Sequence, residues 1–270
     1  QIKVKNTLSF LTKTSSKVRE NSSAKIIAIT GSCGKTSLKV LIGMTLNKLC
    51  CVTYSRKSFN NKFGVPLSLF NLNPKDDFGV FEVGMDKKGE IDALTKIIKP
   101  EVGVITNISY AHAKNFKNLK QIALAKSEIM NNIVSGGSIV LNADDIFYKF
   151  HRKMALKKKL KVYSFSINKK NATVSLISIK KEKSKFKVII NIDNQKKYFF
   201  ISSNFENNLK NLLAAITVIS IFKDIKTINK NIFYNYQIPY GRGDFSKIKI
   251  NRKNILLIDE SYNSNPLSLK

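Results

Sequence analysis

Ile26-Ile27-Ala28-Ile29-Thr30-Gly31-Ser32-Cys33-Gly34-Lys35-Thr36-Ser37 is the stretch from which the rest of the chain is read. A short apolar run enters a loop bracketed by Gly31 and Gly34, and an apolar-periodic segment follows Lys35-Thr36 directly. This is the pattern of strand, phosphate loop and helix. Glycines let backbone N–H groups close around phosphate oxygens, and a helix N-terminus adds partial positive charge. In such a loop Lys35 is expected to reach the outer phosphates and Thr36 to offer its hydroxyl to Mg²⁺. The common form, Gly-x-x-x-x-Gly-Lys, has its first glycine where this chain has Ile29, so the match is to a shorter loop.

Downstream, Leu38, Leu41, Ile42, Thr45 and Leu49 recur at helical spacing. Strand-like runs follow at Cys50–Tyr54, Val80–Gly84, Val102–Asn107 and Ser138–Asn142, with helical segments from Pro66 to Leu72, Glu90 to Ile98 and Leu119 to Ile133 between them. Upstream, residues 4–19 read as a short helix leading in. Alternating strands and helices predict an α/β fold, a mostly parallel sheet flanked by helices. Ligands of such sheets bind at the carboxyl ends of strands, where Lys35, Glu82, Asn107 and His112 are expected. The runs Ala172–Ile179, Phe186–Ile192 and Lys197–Ile201, with short polar turns, predict a small antiparallel meander attached to that sheet. A helix follows over Leu209–Ile219, Pro239–Asp244 breaks the chain, and Ile255–Ile258 reads as a last strand.

Composition bounds the function. The 270 residues are 43% hydrophobic and 24% charged, a globular balance with room for one large domain or two smaller ones. The formal net charge of +29 alone would suggest a polyanion. The lysines, however, run from Lys3 to Lys270, and no segment combines a basic stripe with interleaved aromatics, so no nucleic-acid role is expected. No apolar run approaches the ~20 residues of a membrane span. Cys33, Cys50 and Cys51 have neither disulfide nor metal spacing, which fits a reducing compartment and a cytoplasmic protein.

Several motifs together resemble the Mur ligase family. Thr30–Ser37 is similar to its short phosphate loop. Asn61-Lys62-Phe63-Gly64-Val65-Pro66-Leu67 resembles its Asn-x-x-Gly-Val-Pro segment, and Glu82-Val83-Gly84-Met85 with Gly89-Glu90-Ile91 its Glu-x-Gly-Met…Gly-Glu-Ile stretch. Thr106-Asn107, Ala111-His112 and Ala125-Lys126-Ser127-Glu128-Ile129 follow in the family's order, then Asn142-Ala143-Asp144-Asp145. Asp259-Glu260-Ser261-Tyr262-Asn263-Ser264-Asn265-Pro266 is similar to the branch that adds a dipeptide. The resemblance covers residues 24–270. It implies a lead-in from an N-terminal domain over 1–22, a central ATP-binding domain over 23–237, and the start of a C-terminal domain over 238–270.

The reaction implied is ATP-dependent addition of D-alanyl-D-alanine to UDP-N-acetylmuramoyl-tripeptide through an acyl phosphate. That is a step of peptidoglycan synthesis, and so of cell-wall growth, cell shape and division. The resemblance implies catalytic roles for Lys35, Glu82, His112 and Lys126. It implies nucleotide contacts from Gly31, Ser32, Cys33, Gly34, Lys35, Thr36 and Ser37, with Asn208 at adenine, Arg242 at the phosphates and Asp259 at the ribose. Thr36 and Glu82 would hold one Mg²⁺, and His112 with Glu82 a second. Lys126 matches the lysine that related ligases carry as a carbamate. A monomer is expected, and this segment alone is expected to bind Mg·ATP without ligating. Two departures stand out: Asn207 where the family has His, and Asp86-Lys87-Lys88 where it often has Asn-His-Pro. Another ligase of the superfamily, such as a folylpolyglutamate synthase, and a nucleotide-binding module without chemistry are the alternatives.

Overall fold

The computed structural model describes residues 3–110, 115–202, 208–250, 253–259 and 261–262. Its frame is a nine-stranded sheet in the order β2-β3-β1-β4-β5-β6-β7-β8-β9. The strands are β1 (Lys25–Thr30), β2 (Val52–Tyr54), β3 (Phe78–Glu82), β4 (Val102–Ile105), β5 (Ser138–Asn142), β6 (Lys161–Ser166), β7 (Val174–Glu182), β8 (Lys185–Ile192) and β9 (Gln195–Ser202). β1 pairs in parallel with β3 and β4, and parallel pairing continues outward through β2 on one side and through β5, β6 and β7 on the other.

β1 is central, so its residues need partners on both faces, and that explains its unbroken apolar run. Ile27 and Ile29 pack with α2 (Lys35–Leu46) and α7 (Leu209–Phe222), whereas Ile26 and Ala28 belong to the core of the opposite face. That face is covered by α1 (Thr7–Glu20), α3 (Gly64–Leu69), α4 (Glu90–Ile98), α5 (Leu119–Ser127) and α6 (Tyr148–Lys157). The lead-in helix α1 is docked by Arg19. Its guanidinium donates to the carbonyls of Ile98 and Lys99 and pairs with Glu101 at 3.1 Å. Glu101 in turn accepts the Ile26 N–H, which ties α1 to the central strand.

The meander is the antiparallel end of the same sheet. β8 and β9 are joined by Asp193-Asn194, both at positive φ (47° and 62°), the geometry of the tight hairpin turn that favours Asp and Asn. The helix expected over Leu119–Ile133 divides at Ser127, and Glu128–Asn132 continue as a 3₁₀ turn. α3 starts two residues before Pro66, the expected opener. Two strands and a helix were not foreseen from the sequence: α6, β6 and β10 (Asp244–Ile250). β10 forms a separate antiparallel pair with β11 (Lys253–Asp259), the strand read from Ile255–Ile258.

Candidate functional site

The chain leaves β1 toward β2 on one side and reaches β4 on the other, so the carboxyl ends of β1 and β4 flank the crevice where such sheets bind ligands. The loop between β1 and α2 spans this crevice and is fastened to the segment after β4. Ser32 N–H donates to the Asn107 carbonyl at 2.9 Å, and Cys33 N–H to Asn107 Oδ1 at 3.0 Å. The Thr106 hydroxyl donates to the Cys33 carbonyl at 2.6 Å, and Ser32 Oγ and Ser109 exchange backbone bonds. Gly31 lies so close to this strand that a Cβ there would sit 1.8 Å from Thr106 Oγ1.

Gly34 caps α2 at φ 81°, with no side chain closing the helix N-terminus. The first N–H groups of a helix have no intrahelical partner. Three other helices are given one by a side chain: Asn6 caps α1, Asn118 caps α5, and the Glu128 carboxylate accepts from Gly89 and Asp92 at the start of α4. The N-terminus of α2 follows a glycine-bracketed loop and has no side-chain cap, the arrangement in which a helix can accept an anion.

Cations converge on the loop. Lys35 Nζ and Lys126 Nζ each donate to the Gly31 carbonyl at 2.9 Å, Lys126 from α5 across the crevice. Lys126 is only 1% exposed. Burial, reinforced by the neighbouring Lys35, lowers its pKa well below that of an ordinary lysine. Burial also lowers Lys35, against the attraction of Glu82.

Glu82, at the end of β3, is buried and fully engaged. Oε2 accepts the Thr36 hydroxyl at 2.7 Å and Oε1 accepts Asn60 Nδ2 at 2.7 Å. Lys39, on α2 and 0% exposed, brings its Nζ to 3.9 Å from Oε2 and donates to the Lys57 carbonyl. Burial lowers Lys39 to about 8, again against the attraction of Glu82. Thr36 Oγ1 and Glu82 Oε2 are hard oxygen donors held side by side, a set that suits Mg²⁺, which takes one or two protein oxygens and completes its shell from phosphates and water. Among the described residues no cluster of three or more His, Cys, Asp or Glu could hold a metal.

The later segments also reach this site. Arg242 donates to Ser58 Oγ at 2.9 Å, and Ser58 Oγ lies 3.3 Å from Thr36 Oγ1. Tyr236 donates to the Ser37 carbonyl at 2.9 Å. Asn208 accepts from Asn211 at 3.0 Å, and Asn211 packs against Gly34. Asp259 stands beside this group through its backbone, whose carbonyl accepts Gly243 N–H at 2.8 Å. Its carboxylate, lowered in pKa by hydrogen bonds from Ser261, is exposed. His112, Asn207 and Asn263–Pro266 lie outside the described residues.

Other motif residues are structural. Asp145 accepts Ile108 and Phe147 N–H, and Asp144 accepts Ser166 Oγ and Ile167 N–H, so both hold the ends of β4, β5 and β6 together. The sequence reading missed Lys39, Ser58 and Asn211. For Lys39 a signal existed: it lies four residues after Lys35 on α2, hence on the same helix face.

Residues 29–219 match the family described as the Mur ligase middle domain. The UDP-N-acetylmuramoyl-tripeptide–D-alanyl-D-alanine ligase of Buchnera aphidicola subsp. Baizongia pistaciae is 35% identical over 273 residues, covering 100% of this chain and 57% of that protein. A crystal structure of MurF from Acinetobacter baumannii superposes with a TM-score of 0.88 at 30% identity, over 100% of this chain and 58% of that one. MurF from Thermotoga maritima, solved in complex with ADP, shares the fold with a TM-score of 0.83 at 21% identity, over 99% of this chain and 60% of its own. The chain therefore spans somewhat more than half the length of these relatives.

Proposed function

The chain belongs to the Mur ligase family, and from that premise we propose that it carries the ATP-using part of a ligase joining D-alanyl-D-alanine to UDP-N-acetylmuramoyl-tripeptide. The observation that carries this reading is the uncapped N-terminus of α2, with Lys35 and Lys126 gathered on Gly31 and Thr36 paired to Glu82. The ADP bound by the Thermotoga maritima relative supports ATP as the nucleotide.

In this proposal the α2 N–H groups and Lys35 hold the β- and γ-phosphates, and Arg242 reaches the phosphates from beside Ser58. Asn208 lies toward the adenine and Asp259 toward the ribose. A carboxylate oxygen of the tripeptide attacks the γ-phosphorus, the bond to the bridging oxygen breaks, and ADP leaves an acyl phosphate. The amine of the dipeptide then attacks the acyl carbon, loses a proton, and expels phosphate. Mg²⁺, when bound, neutralises phosphate charge as that bond breaks. Thr36 and Glu82 would hold it, and His112 with Glu82 a second ion, to which Lys126 would contribute as a carbamate. As an ammonium, Lys126 cannot ligate. As a neutral amine, which its burial favours, it can add CO₂, lose a proton, and become an anionic carbamate that can. Otherwise catalysis is positioning and charge stabilisation.

The division into 1–22, 23–237 and 238–270, action as a cytoplasmic monomer, and ligation that draws on the further length of the relatives complete the proposal. No helix among the described residues is long and apolar enough to cross a membrane. The test supplies the protein, at the length of its relatives, with Mg·ATP, UDP-N-acetylmuramoyl-tripeptide and D-alanyl-D-alanine. Phosphate release that requires both acceptor substrates is expected. Release that instead requires a folate and glutamate would move the chain to the folylpolyglutamate branch.

A further inference from the structure

Lys39 is used by none of the steps above, yet it is fully buried and stands beside the buried carboxylate of Glu82. A buried lysine is costly unless it serves a partner. Here it has two: Glu82 Oε2 at 3.9 Å and the carbonyl of Lys57, in the segment that also delivers Ser58 and Asn60. Lys35, Lys126 and Arg242 gather around the same loop. Before nucleotide binds, Lys39, Lys35 and Arg242 therefore set three cations against Glu82.

We propose that Lys39 is the resident counter-cation of Glu82, holding the carboxylate on Thr36 and repelling free divalent metal, so that metal is admitted only together with the nucleotide. The inference rests on the nucleotide reading above. Near Glu82, a dication without nucleotide meets the Lys39 ammonium across a water-poor interior, where charge is poorly screened. A triphosphate reverses the local sign and supplies most of the metal's oxygen ligands. Metal and nucleotide then bind with positive coupling, which by linkage is the same whichever is added first.

The test measures Mn²⁺ binding at pH 7, with and without a non-hydrolysable ATP analogue, in wild type, Lys39→Met, Lys39→Gln and Lys39→Arg. Circular dichroism checks each fold. Without nucleotide, Lys39→Met is expected to bind Mn²⁺ at least ten-fold more tightly than wild type, with the metal–nucleotide coupling reduced. Lys39→Gln, which keeps a donor for the Lys57 carbonyl without the charge, is expected to behave alike, and it carries the test should Lys39→Met not fold. Lys39→Arg should retain wild-type coupling. A merely structural lysine would give the opposite result, since losing it would loosen Glu82 and weaken the metal. Nucleotide-free Mn²⁺ affinity that stays unchanged or falls in the folded, uncharged variants would overturn the proposal. Absence of any metal-dependent analogue binding in wild type would overturn the nucleotide reading, and this inference with it.

Discussion

Lys126 shows how burial changes the charge balance of a common residue. The chain has 47 Lys and Arg, most of them solvated, but this one is 1% exposed and sits on a carbonyl beside a second lysine. Its lowered pKa leaves more neutral amine at neutral pH than an ordinary lysine has. With ¹³C-bicarbonate the wild type is expected to give a carbamate carbon resonance that disappears in Lys126→Met. Identical spectra for the two would remove the carbamate from the account. His151 makes a different use of burial. It is 2% exposed, its Nε2 meets the Ala123 carbonyl at 3.0 Å, and desolvation lowers its pKa below the usual 6.5. The native state therefore holds this ring neutral while the unfolded chain protonates it. Its contribution to stability is whole above about pH 6.5 and declines as the pH falls below that value. Urea midpoints from pH 7 to 5 should fall less steeply for His151→Gln than for wild type. Parallel slopes would show that other groups set the acid limb.

At the scale of elements, two helix N-termini near the site are built differently. α4 opens on the Glu128 carboxylate, which accepts Gly89 N–H at 2.8 Å, and α2 opens on the bare loop. Glu128 belongs to the stretch that resembles the family's Ala-Lys-x-Glu-Ile run, yet its contacts are those of a cap. Glu128→Ala is expected to cost about 1–2 kcal/mol of stability, as cap removal does, and to leave nucleotide affinity within about two-fold. A larger loss of affinity than of stability would make Glu128 part of the site. The helices that the sequence revealed, such as α4 with Ile91, Leu94 and Ile98 buried, have an apolar stripe. α6 was not foreseen, although Tyr148, His151 and Ala155 recur at helical spacing, nor was β10, where Ile248 and Ile250 alternate with Lys247 and Lys249 in a pair that stands apart from the large sheet. The site was legible where chemistry fixes residue type, at Gly34, Lys35, Thr36 and Glu82. Ser58 was not legible, because its role comes from Arg242, 184 residues away in sequence.

At the scale of the molecule, the parallel order around β1 creates the crevice, and basic side chains from three segments face it: Lys35 and Lys39 from α2, Lys126 from α5, and Arg242 from the turn before β10. Bound nucleotide also stabilises the native state by mass action, by about 2.7 kcal/mol at a hundred-fold excess over Kd. Thermal unfolding of wild type should therefore move upward with Mg·ATP, and an unchanged midpoint at saturating ligand would contradict binding to the folded chain. The most direct test is calorimetric titration of ATP, with and without Mg²⁺, into wild type and Lys35→Ala. The account predicts Mg²⁺-dependent binding to wild type that weakens at least ten-fold in Lys35→Ala while its fold is kept. Equal affinity in the two proteins would contradict the phosphate loop as the nucleotide site.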